Sequence, residues 1–296
     1  MVVGRAPGCL LRLEDPRVSA EHAAVFWSGE RWELRDLGSS NGTFVEGRRA
    51  AHGERILLKE GVRMSFGSDA DRWVLVDALP PVASARRVGR VGGEAVQVAE
   101  KGLLALPGAD DPEISIFEAE KGRWLVEAGG PARPAVDGET LTCSGSTWIL
   151  SVPPPFPGGV VPTTHRDLGS PRLIGLLTLL FHVSRDGEYV KLALVHGAET
   201  IDMSARVHHE FLLTLARARL SAKEDASTPE AEKGWLYVDD VAAMLGVEPD
   251  RVNMAIYRSR QQFAESGVLN AGALFERRPT TRQIRLATDR VEIRPL

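Results

Sequence analysis

Apolar and polar positions alternate over short segments in the first 80 residues of the chain. The segments "AAVFW" (23–27), "RWELRDL" (31–37) and "TFV" (43–45) have the period-two pattern of half-buried strands. The segments "ERILL", "VRMSFG" and "RWVLVDA" follow, each bounded by Gly, Asp or Lys. Short strands with turn signals between them are typical of a β-sandwich. We therefore predict an N-terminal β-sandwich over residues 1–79.

A second series of short strands, over residues 88–152, partly repeats the first. The segment "ISIFEAEKGRWLVEAGG" has the rhythm of "AAVFWSGERWELRDLGS", and "TLTCSGSTWILSVP" has that of "VRMSFGSDADRWVLVDALP". We predict a small all-β domain here, a candidate degenerate copy of the first domain with a structural role. Residues 79–87 are interpreted as a linker. The Pro- and Gly-rich residues 153–171 are interpreted as a semi-extended tether.

After residue 172 three strand-like segments, "TLLFHVS", "YVKLAL" and "ETIDM", precede a helical pattern. Helices are predicted over "HHEFLLTLARARL" (208–220), "VDDVAAMLG" (238–246) and "EPDRVNMAIYRSRQQFAESG" (248–267). Asp239 is the predicted N-cap of the second helix, and Gly246 ends it. Pro249 lies in the first turn of the third helix, which closes on Gly267. "LFERRPTTRQIRLA" (274–287) predicts two strands joined at "PTT", so residues 172–296 are expected to form an α+β domain.

Composition narrows the classes of function. The net charge of −4 gives no global field for nucleic acid, so DNA binding would need a local basic patch. Cys9 and Cys143 have no metal-ligand spacing and form no disulfide framework, which favours a reducing cytoplasm. No basic region with an apolar core opens the sequence, so we expect no signal peptide. The longest apolar run, "LIGLLTLLF", is far shorter than the roughly 20 residues of a membrane helix. We expect no membrane, metal or cofactor.

No enzyme signature is present in the sequence. "HHEFL" lacks the second histidine of H-E-x-x-H, and neither a G-x-S-x-G elbow nor a Walker loop occurs. "VGRVGG", near the start of the middle domain, lacks the spacing of a dinucleotide fingerprint. We expect a protein that is not an enzyme.

Four segments of the first domain together carry a family resemblance. "VVGR" (2–5), "VSAEHA" (18–23), "LRDLGSSNGTFVEG" (34–47) and "MSFG" (64–67) resemble the forkhead-associated (FHA) domain, in order and over about residues 1 to 78. The resemblance implies a β-sandwich that binds phosphothreonine peptides through loops at one end. A phosphate carries close to two negative charges and three strong acceptors, so it requires a charged fork and short donors.

The residues at the matching positions suit this chemistry. The guanidinium of Arg5 can bond two phosphate oxygens, and the Ser19 hydroxyl is a short donor. Ser40 stands where the family uses Ser or Thr near the phosphothreonine, and Asn41 has the family role of contacting the peptide backbone. The predicted phosphopeptide site is therefore Arg5, Ser19, Ser40 and Asn41. His22 is predicted to bond a loop, and Gly38 to permit a bend.

The chain departs from the FHA pattern in two ways. Ala20 follows the serine, where the family usually has Arg or Lys, so one cationic donor is missing and weaker phosphate binding is expected. The family also has two strands before the "GR" motif, whereas this chain begins four residues before Arg5. The first sandwich is therefore expected to be incomplete. Two explanations are open: a start further upstream, or another part of the chain covering the edge strand.

The C-terminal order of strands, three helices and a hairpin resembles the winged helix-turn-helix of OmpR/PhoB-type response regulators, over about residues 176 to 294. "HEFLLTLA" resembles the first helix, "VNMAIYRSRQQF" the recognition helix and "ERRPTTRQIRL" the wing. Three features depart from that family: Ser259 replaces the usual leucine, an acidic insertion follows the first helix, and no receiver domain is present. The DNA-contacting residues implied are Arg251, Asn253, Tyr257, Arg258, Arg260, Gln261, Arg278 and Arg282.

Only the C-terminal segment of the chain has the positive charge that DNA binding requires. From Asp250 onward there are nine arginines and five acidic residues, which makes a basic patch on an acidic chain. The alternative is a winged helix that contacts protein, with its arginines in surface ion pairs.

Together these patterns predict a multidomain bacterial signalling protein of the cytoplasm. It would read phosphothreonine made by an upstream Ser/Thr kinase and regulate transcription through DNA; an oligomer is compatible with the sequence. The alternative is a phosphothreonine-dependent protein scaffold. Thr163 and Thr164, in the tether, are a candidate site for self-recognition after phosphorylation, because Thr164 has Asp167 three residues later; a plain linker is the alternative.

Overall fold

The computed structural model describes residues 1–69, 72–88, 95–119, 122–153, 171–187, 189–224, 227–278 and 280–296. Most of the predicted tether, with Thr163 and Thr164, lies outside the described residues. The described residues form two compact units, one over Met1–Pro81 and the other from Val82 onward. The helices that they form are all too short or too polar to serve as a membrane span.

The first unit is built from short strands in two sheets, as the alternating pattern predicts. Its strands are β1 (Val2–Gly4), β2 (Leu11–Arg12), β3 (Ala23–Trp27), β4 (Trp32–Asp36), β5 (Thr43–Val45), β6 (Arg48–Arg49), β7 (Arg55–Leu58), β8 (Arg63–Phe66) and β9 (Trp73–Val74). One sheet has the order β2-β1-β3-β4-β7, and the other has the order β6-β5-β8-β9. Side chains from both sheets, such as Val3 and Leu34 from one and Val45 and Phe66 from the other, share one apolar core.

The edge next to β1 is covered by this chain itself. Strand β2 pairs with β1 in parallel, with Val3 opposite Leu11 and Gly4 opposite Arg12. On its other side β1 pairs antiparallel with β3. The second of the two explanations for the short N-terminus therefore agrees with this structure. The edge strand is only two residues long, which limits pairing with other chains.

The middle part of the chain is also a sandwich. Its strands are β10 (Ser84–Val88), β11 (Val96–Val98), β12 (Leu103–Leu106), β13 (Ile114–Glu118), β14 (Trp124–Glu127), β15 (Arg133–Pro134), β16 (Thr140–Cys143) and β17 (Ser146–Ser151). The sheets have the orders β11-β10-β17-β16 and β12-β13-β14-β15, and a core that includes Ala85, Leu150, Ile116 and Trp124 lies between them. The linker predicted over 79–87 is wrong from Ser84, because β10 pairs along its whole length with β17. That this part is a copy of the first domain stays a prediction.

The C-terminal part follows the predicted order of strands and helices. Its elements are β18 (Thr178–Val183), β19 (Val190–His196), β20 (Glu199–Asp202), α1 (His209–Glu224), β21 (Leu236–Tyr237), α2 (Val238–Leu245), α3 (Pro249–Glu265), β22 (Phe275–Arg277), β23 (Gln283–Leu286) and β24 (Val291–Pro295). Short 3-10 turns lie at Ile174–Leu176, Glu230–Glu232 and Ala271–Leu274. The sheets have the orders β20-β19-β18-β24 and β21-β23-β22. That this part is a winged helix stays a prediction.

The predicted ends of α2 and α3 are largely right. Gly246 ends α2 in the left-handed region, with φ of 65°, and Pro249 opens α3. The predicted N-cap of α2 is wrong: Asp239 lies inside the first turn, and Tyr237 precedes the helix without a side-chain cap. The strand β21 runs directly into α2, so the residue before the helix is the strand residue Tyr237, which has no short polar side chain to cap the helix.

The middle and C-terminal parts share one apolar core, although the sequence predicts separate domains over 88–152 and 172–296. Phe117 from β13 belongs to the same buried cluster as Phe211, Ile256 and Phe275. The approach is close at Gly272, where an added Cβ would clash with the Phe117 ring. The two parts are therefore one compact unit joined by their side chains.

Candidate functional site

Three loops meet at one end of the N-terminal sandwich and carry the four predicted phosphopeptide residues. Arg5 follows β1, Ser19 precedes β3, and Ser40 and Asn41 lie between β4 and β5. The backbone N–H of Arg5 donates to the Ser19 carbonyl at 2.9 Å, and the N–H of Ser40 donates to the Ser19 hydroxyl oxygen at 3.1 Å. Hydrogen bonds thus join the three loops through Ser19.

The Arg5 side chain is anchored at one nitrogen. Its Nε donates to the carbonyl oxygen of Val18 at 3.3 Å, while the residue as a whole is exposed. Among the described residues, neither terminal nitrogen of Arg5, Nη1 or Nη2, has a hydrogen-bond partner, so both are available to a ligand. A guanidinium presented in this way can bond two oxygens of one phosphate.

The hydroxyls and the amide supply the short donors. In the described part of the chain, neither the Ser19 hydroxyl nor the Ser40 hydroxyl donates a hydrogen bond, so both protons remain for a ligand. The side-chain amide of Asn41 donates to the Arg17 carbonyl oxygen at 2.8 Å, which leaves its second amide proton and its Oδ1. The four predicted residues therefore lie at one end of the sandwich and still have hydrogen-bond donors available for a ligand.

His22 ties two of the loops together, as the sequence predicts. Its ring is fully buried and packs edge-on against Phe66, with ring centres 5.9 Å apart. Nδ1 accepts the backbone N–H of Ser19 at 3.0 Å, and Nε2 lies 3.1 Å from the Gly42 carbonyl oxygen. These partners assign the ring proton to Nε2. Burial lowers the pKa of His22, so the neutral ring holds the loops at neutral pH.

Asp36, at the end of β4, accepts hydrogen bonds from the loop between β4 and β5, which is called the Ser-Asn loop because it carries Ser40 and Asn41. The sequence analysis did not predict this role of Asp36. Its buried carboxylate accepts bonds from the N–H of Gly38 at 2.8 Å, the N–H of Ser39 at 2.9 Å, the Ser39 hydroxyl at 2.6 Å and the Thr43 hydroxyl at 2.7 Å. Burial opposes ionisation, but these bonds outweigh it and lower the pKa of Asp36. Gly38 has φ of 87°, which fits its predicted bend. An Asp two residues before a Gly is the signal of an Asx turn.

Comparison with known proteins bears on this unit. Residues 1–67 match the family model of the FHA domain. The N-terminal unit contains an FHA domain. The match covers under a quarter of the 296 residues, so it identifies this domain and not the whole protein.

The matches to two curated relatives are short. Protein phosphatase 2C 70 of Arabidopsis thaliana is 36% identical over 69 residues, which are 23% of this chain and 12% of the relative. The FHA domain-containing protein FhaB of Mycobacterium tuberculosis is 33% identical over 64 residues, which are 22% of this chain and 41% of the relative. The chain thus spans less than half of either relative.

One solved structure is similar to part of this chain. The N-terminal FHA domain of S. cerevisiae Rad53p, solved with a phosphothreonine peptide, is 27% identical with a TM-score of 0.22, over 24% of this chain and 60% of that one.

The predicted DNA-reading helix, α3, lies against the middle sandwich. Arg260 is 1% exposed, and its Nη2 donates to Glu127 Oε2, on β14, at 2.9 Å. The Arg260 guanidinium also lies over the Phe117 ring, with its Cζ 4.1 Å from the ring centre. Tyr257 on the same helix is buried as well, at 6% exposure. Arg260 and Tyr257 are therefore not on an accessible face, which corrects their assignment to a DNA-contacting surface.

A second arginine, Arg277 on strand β22 of the predicted wing, lies against the same carboxylate. Arg277 Nε lies 3.1 Å from Glu127 Oε1, an ion-pair distance, although its N–H is not aligned for a hydrogen bond. Its Nη2 donates to Oδ1 of Asn253 at 2.8 Å, so the predicted base-reading amide of Asn253 is already engaged. Burial lowers the pKa of Arg277, with Glu127 opposing that shift. Sequence analysis missed Glu127, because it is distant along the chain from both arginines and no local pattern marks it.

The other predicted DNA residues are mostly in ion pairs or hydrogen bonds. Arg258 Nη2 lies 3.4 Å from Asp110 Oδ1, and its Nη1 donates to Gln261 Oε1 at 3.4 Å. Arg278 pairs with Glu232 at 2.6 Å, and Arg282 lies 3.5 Å from Asp239. Arg251 is exposed. Arg258, Arg278 and Arg282 therefore each have a carboxylate partner, as the alternative with surface ion pairs expects.

Proposed function

We propose that this chain is a phosphothreonine-dependent protein scaffold of bacterial signalling. Its FHA domain would bind a phosphorylated protein, and the unit that follows would serve protein contacts. The observation that supports the first part is the set of hydrogen bonds at Ser19, which join the loop of Arg5 to the loop of Ser40 while the hydroxyls of Ser19 and Ser40 keep their protons for a ligand. Together with the Arg5 guanidinium, these donors match the acceptors and charge of a phosphate.

The role of the second unit rests on the burial of α3. A helix can read the major groove only if its side chains reach base edges. Arg260 is instead enclosed by Glu127 and Phe117, and Tyr257 is buried. This arrangement favours the scaffold over a transcription regulator, because the strongest donor of the helix already has its partner.

The proposal implies an upstream protein kinase of the Ser/Thr class, because the ligand group is made only by phosphorylation of threonine. A cytoplasmic location suits that chemistry and the two reduced cysteines, which are both buried and unpaired. A non-enzymatic role is part of the same proposal. In the described part of the chain, no three His, Cys, Asp or Glu side chains cluster in a way that could hold a metal ion.

Capture from a peptide library tests phosphothreonine reading. The full chain is immobilised and offered three degenerate peptide pools that differ only in a central phosphothreonine, phosphoserine or threonine. We expect selective retention of the phosphothreonine pool, and loss of retention in Arg5→Ala. Equal retention of the unmodified pool would refute the proposal.

Selection of bound genomic fragments at two salt concentrations separates the scaffold from a DNA reader. Phosphate contacts give steep salt dependence, and a sequence reader keeps a recurrent motif as salt rises. We expect weak binding that vanishes at the higher salt without a motif. A motif that survives the higher salt would restore the DNA-binding prediction.

A further inference from the structure

Arg12 lies beside Arg5 on the surface of the FHA domain. Strands β1 and β2 pair in parallel with Gly4 opposite Arg12, so Arg12 is next to the residue that precedes Arg5. A surface depression of about 540 Å³ is lined by Arg5, Ala6, Pro7, Arg12, Glu14 and Ala20. Two guanidinium groups therefore border one depression at the end of the sandwich where the three loops meet.

The positive charge of Arg5 alone does not balance the negative charge of a phosphate. A phosphorylated threonine carries about 1.5 to 2 negative charges at neutral pH. Arg5 supplies one positive charge, and Ala20, which is exposed in the same depression, supplies none. Arg12 is the other cation lining this depression, and its side chain is 51% exposed, so it is free to turn toward a ligand.

In this structure Arg12 forms an ion pair with Glu14. Arg12 Nη2 lies 3.6 Å from Glu14 Oε1, and the Glu14 side chain is 82% exposed. An ion pair so exposed holds its members only loosely. A phosphate, with its greater charge, would compete with this carboxylate for Arg12, and the carboxylate would repel the phosphate.

We propose that Arg12 is a second phosphate-binding cation of the FHA domain, which supplies from β2 the positive charge that Ala20 lacks. The proposal rests on the proposed phosphothreonine binding, whose site it extends. Glu14 then acts as a competitor that sets how strongly Arg12 engages the phosphate.

The test uses the full chain and a fluorescent degenerate peptide with one fixed phosphothreonine, followed by anisotropy. Arg12→Ala is expected to weaken binding about three- to tenfold, as the loss of one charged but exposed phosphate contact would. Glu14→Gln is expected to tighten it about two- to fivefold, because it frees Arg12 and removes a like charge. In the Arg12→Ala background, Ala20→Arg is expected to recover binding.

The matched control is Arg31→Ala. Arg31 is an exposed arginine of the same unit with its own carboxylate, Glu33, at 3.4 Å, but it does not line the depression. Its removal changes the net charge equally and should leave the affinity unchanged. If Arg12→Ala and Glu14→Gln both bind as the unchanged chain does, the proposal is wrong while phosphothreonine binding stands. If the unchanged chain does not distinguish the phosphopeptide from its unphosphorylated form, both proposals fall.

Discussion

Arg260 donates a hydrogen bond of 2.9 Å to Glu127, and both side chains are buried, at 1% and 6% exposure. The two residues are 133 positions apart, so the contact fastens the third helix of the C-terminal part to the middle sandwich. The middle sandwich therefore covers the face of α3 that carries Arg260. This contact favours the proposed scaffold over a protein that reads DNA with α3.

Glu127→Gln should destabilise the second unit. The substitution leaves two arginines, Arg260 and Arg277, buried around a neutral amide, and breaking a buried ion pair on one side costs about 3–5 kcal/mol. Chemical denaturation of the full chain, followed by tryptophan fluorescence, measures this cost. The control is Glu292→Gln, which removes the partner of Arg294 from an exposed pair and should change the unfolding midpoint little. Equal effects of the two substitutions would show that the Glu127 contacts carry no stability.

Asp36→Ala should unfold the Ser-Asn loop of the FHA domain. It removes the acceptor of four hydrogen bonds, including those from Ser39 and Thr43. The Thr43 hydroxyl is a buried donor, and leaving such a donor unpaired costs roughly 1–3 kcal/mol. Urea unfolding measures the loss, and phosphopeptide binding should fall with it because Ser40 sits on the same loop. Retained phosphopeptide affinity in a folded Asp36→Ala variant would contradict this account of the loop.

Asp36 also predicts a pH dependence. Hydrogen bonds hold the folded-state pKa of Asp36 below its ordinary value of 3.8, so the folded state prefers the charged carboxylate. The stability from this preference is present above pH 3.8 and is lost as the pH falls through the lowered pKa. In Asp36→Asn this acid-dependent part of the unfolding free energy should be missing. An unchanged acid limb in that variant would assign the dependence to other groups.

His208 should make the second unit sensitive to mild acid. Nε2 of His208 and of His209 both lie within hydrogen-bond distance of Gln262 Oε1, at 2.7 Å and 2.9 Å. Burial lowers the pKa of His208 from 6.5 to about 4, although the bond to Gln262 acts in the opposite direction. Between pH 6.5 and about 4, His208 therefore binds a proton in the unfolded chain but not in the folded chain. Stability is full above pH 6.5 and falls as the pH drops toward about 4.

Denaturation midpoints measured across this pH range check the prediction. His208→Asn removes one titrating ring and should reduce the dependence between pH 6.5 and about 4. Burial also lowers the pKa of His209, so part of the dependence should remain. His182→Asn is the comparison, since it removes a histidine from β18 of the same unit. An unchanged slope in His208→Asn would assign the proton uptake to other groups.

Much of the FHA domain was readable from the sequence because its signals are local. Gly38, Ser40 and Asn41 lie within one loop, and the "VSAEHA" segment carries both Ser19 and His22. Asp36 was missed although its Asx-turn spacing to Gly38 was visible. The covering of β1 by β2 was left open, because a two-residue strand has no periodicity to detect.

The environment of α3 could not be read in the same way. Helical periodicity predicts one shared face for Val252, Ile256, Ser259 and Phe263, and all four are buried. An arginine, by contrast, is predicted to be exposed unless its distant partner is known. The carboxylate and the ring that enclose Arg260 belong to β14 and β13 of the middle sandwich. The linker error has a local cause: β10 begins in an Ala- and Ser-rich segment with weak strand propensity.

The most direct test of phosphothreonine reading follows the backbone amide signals of the full chain by nuclear magnetic resonance while a phosphothreonine peptide is added. The account predicts that signals of Arg5, Ser19, Ser40 and Asn41 shift with increasing peptide, that Arg31 is unaffected, and that the unphosphorylated peptide moves none of them. Binding that leaves these four signals in place, or shifts of equal size with the unphosphorylated peptide, would contradict it.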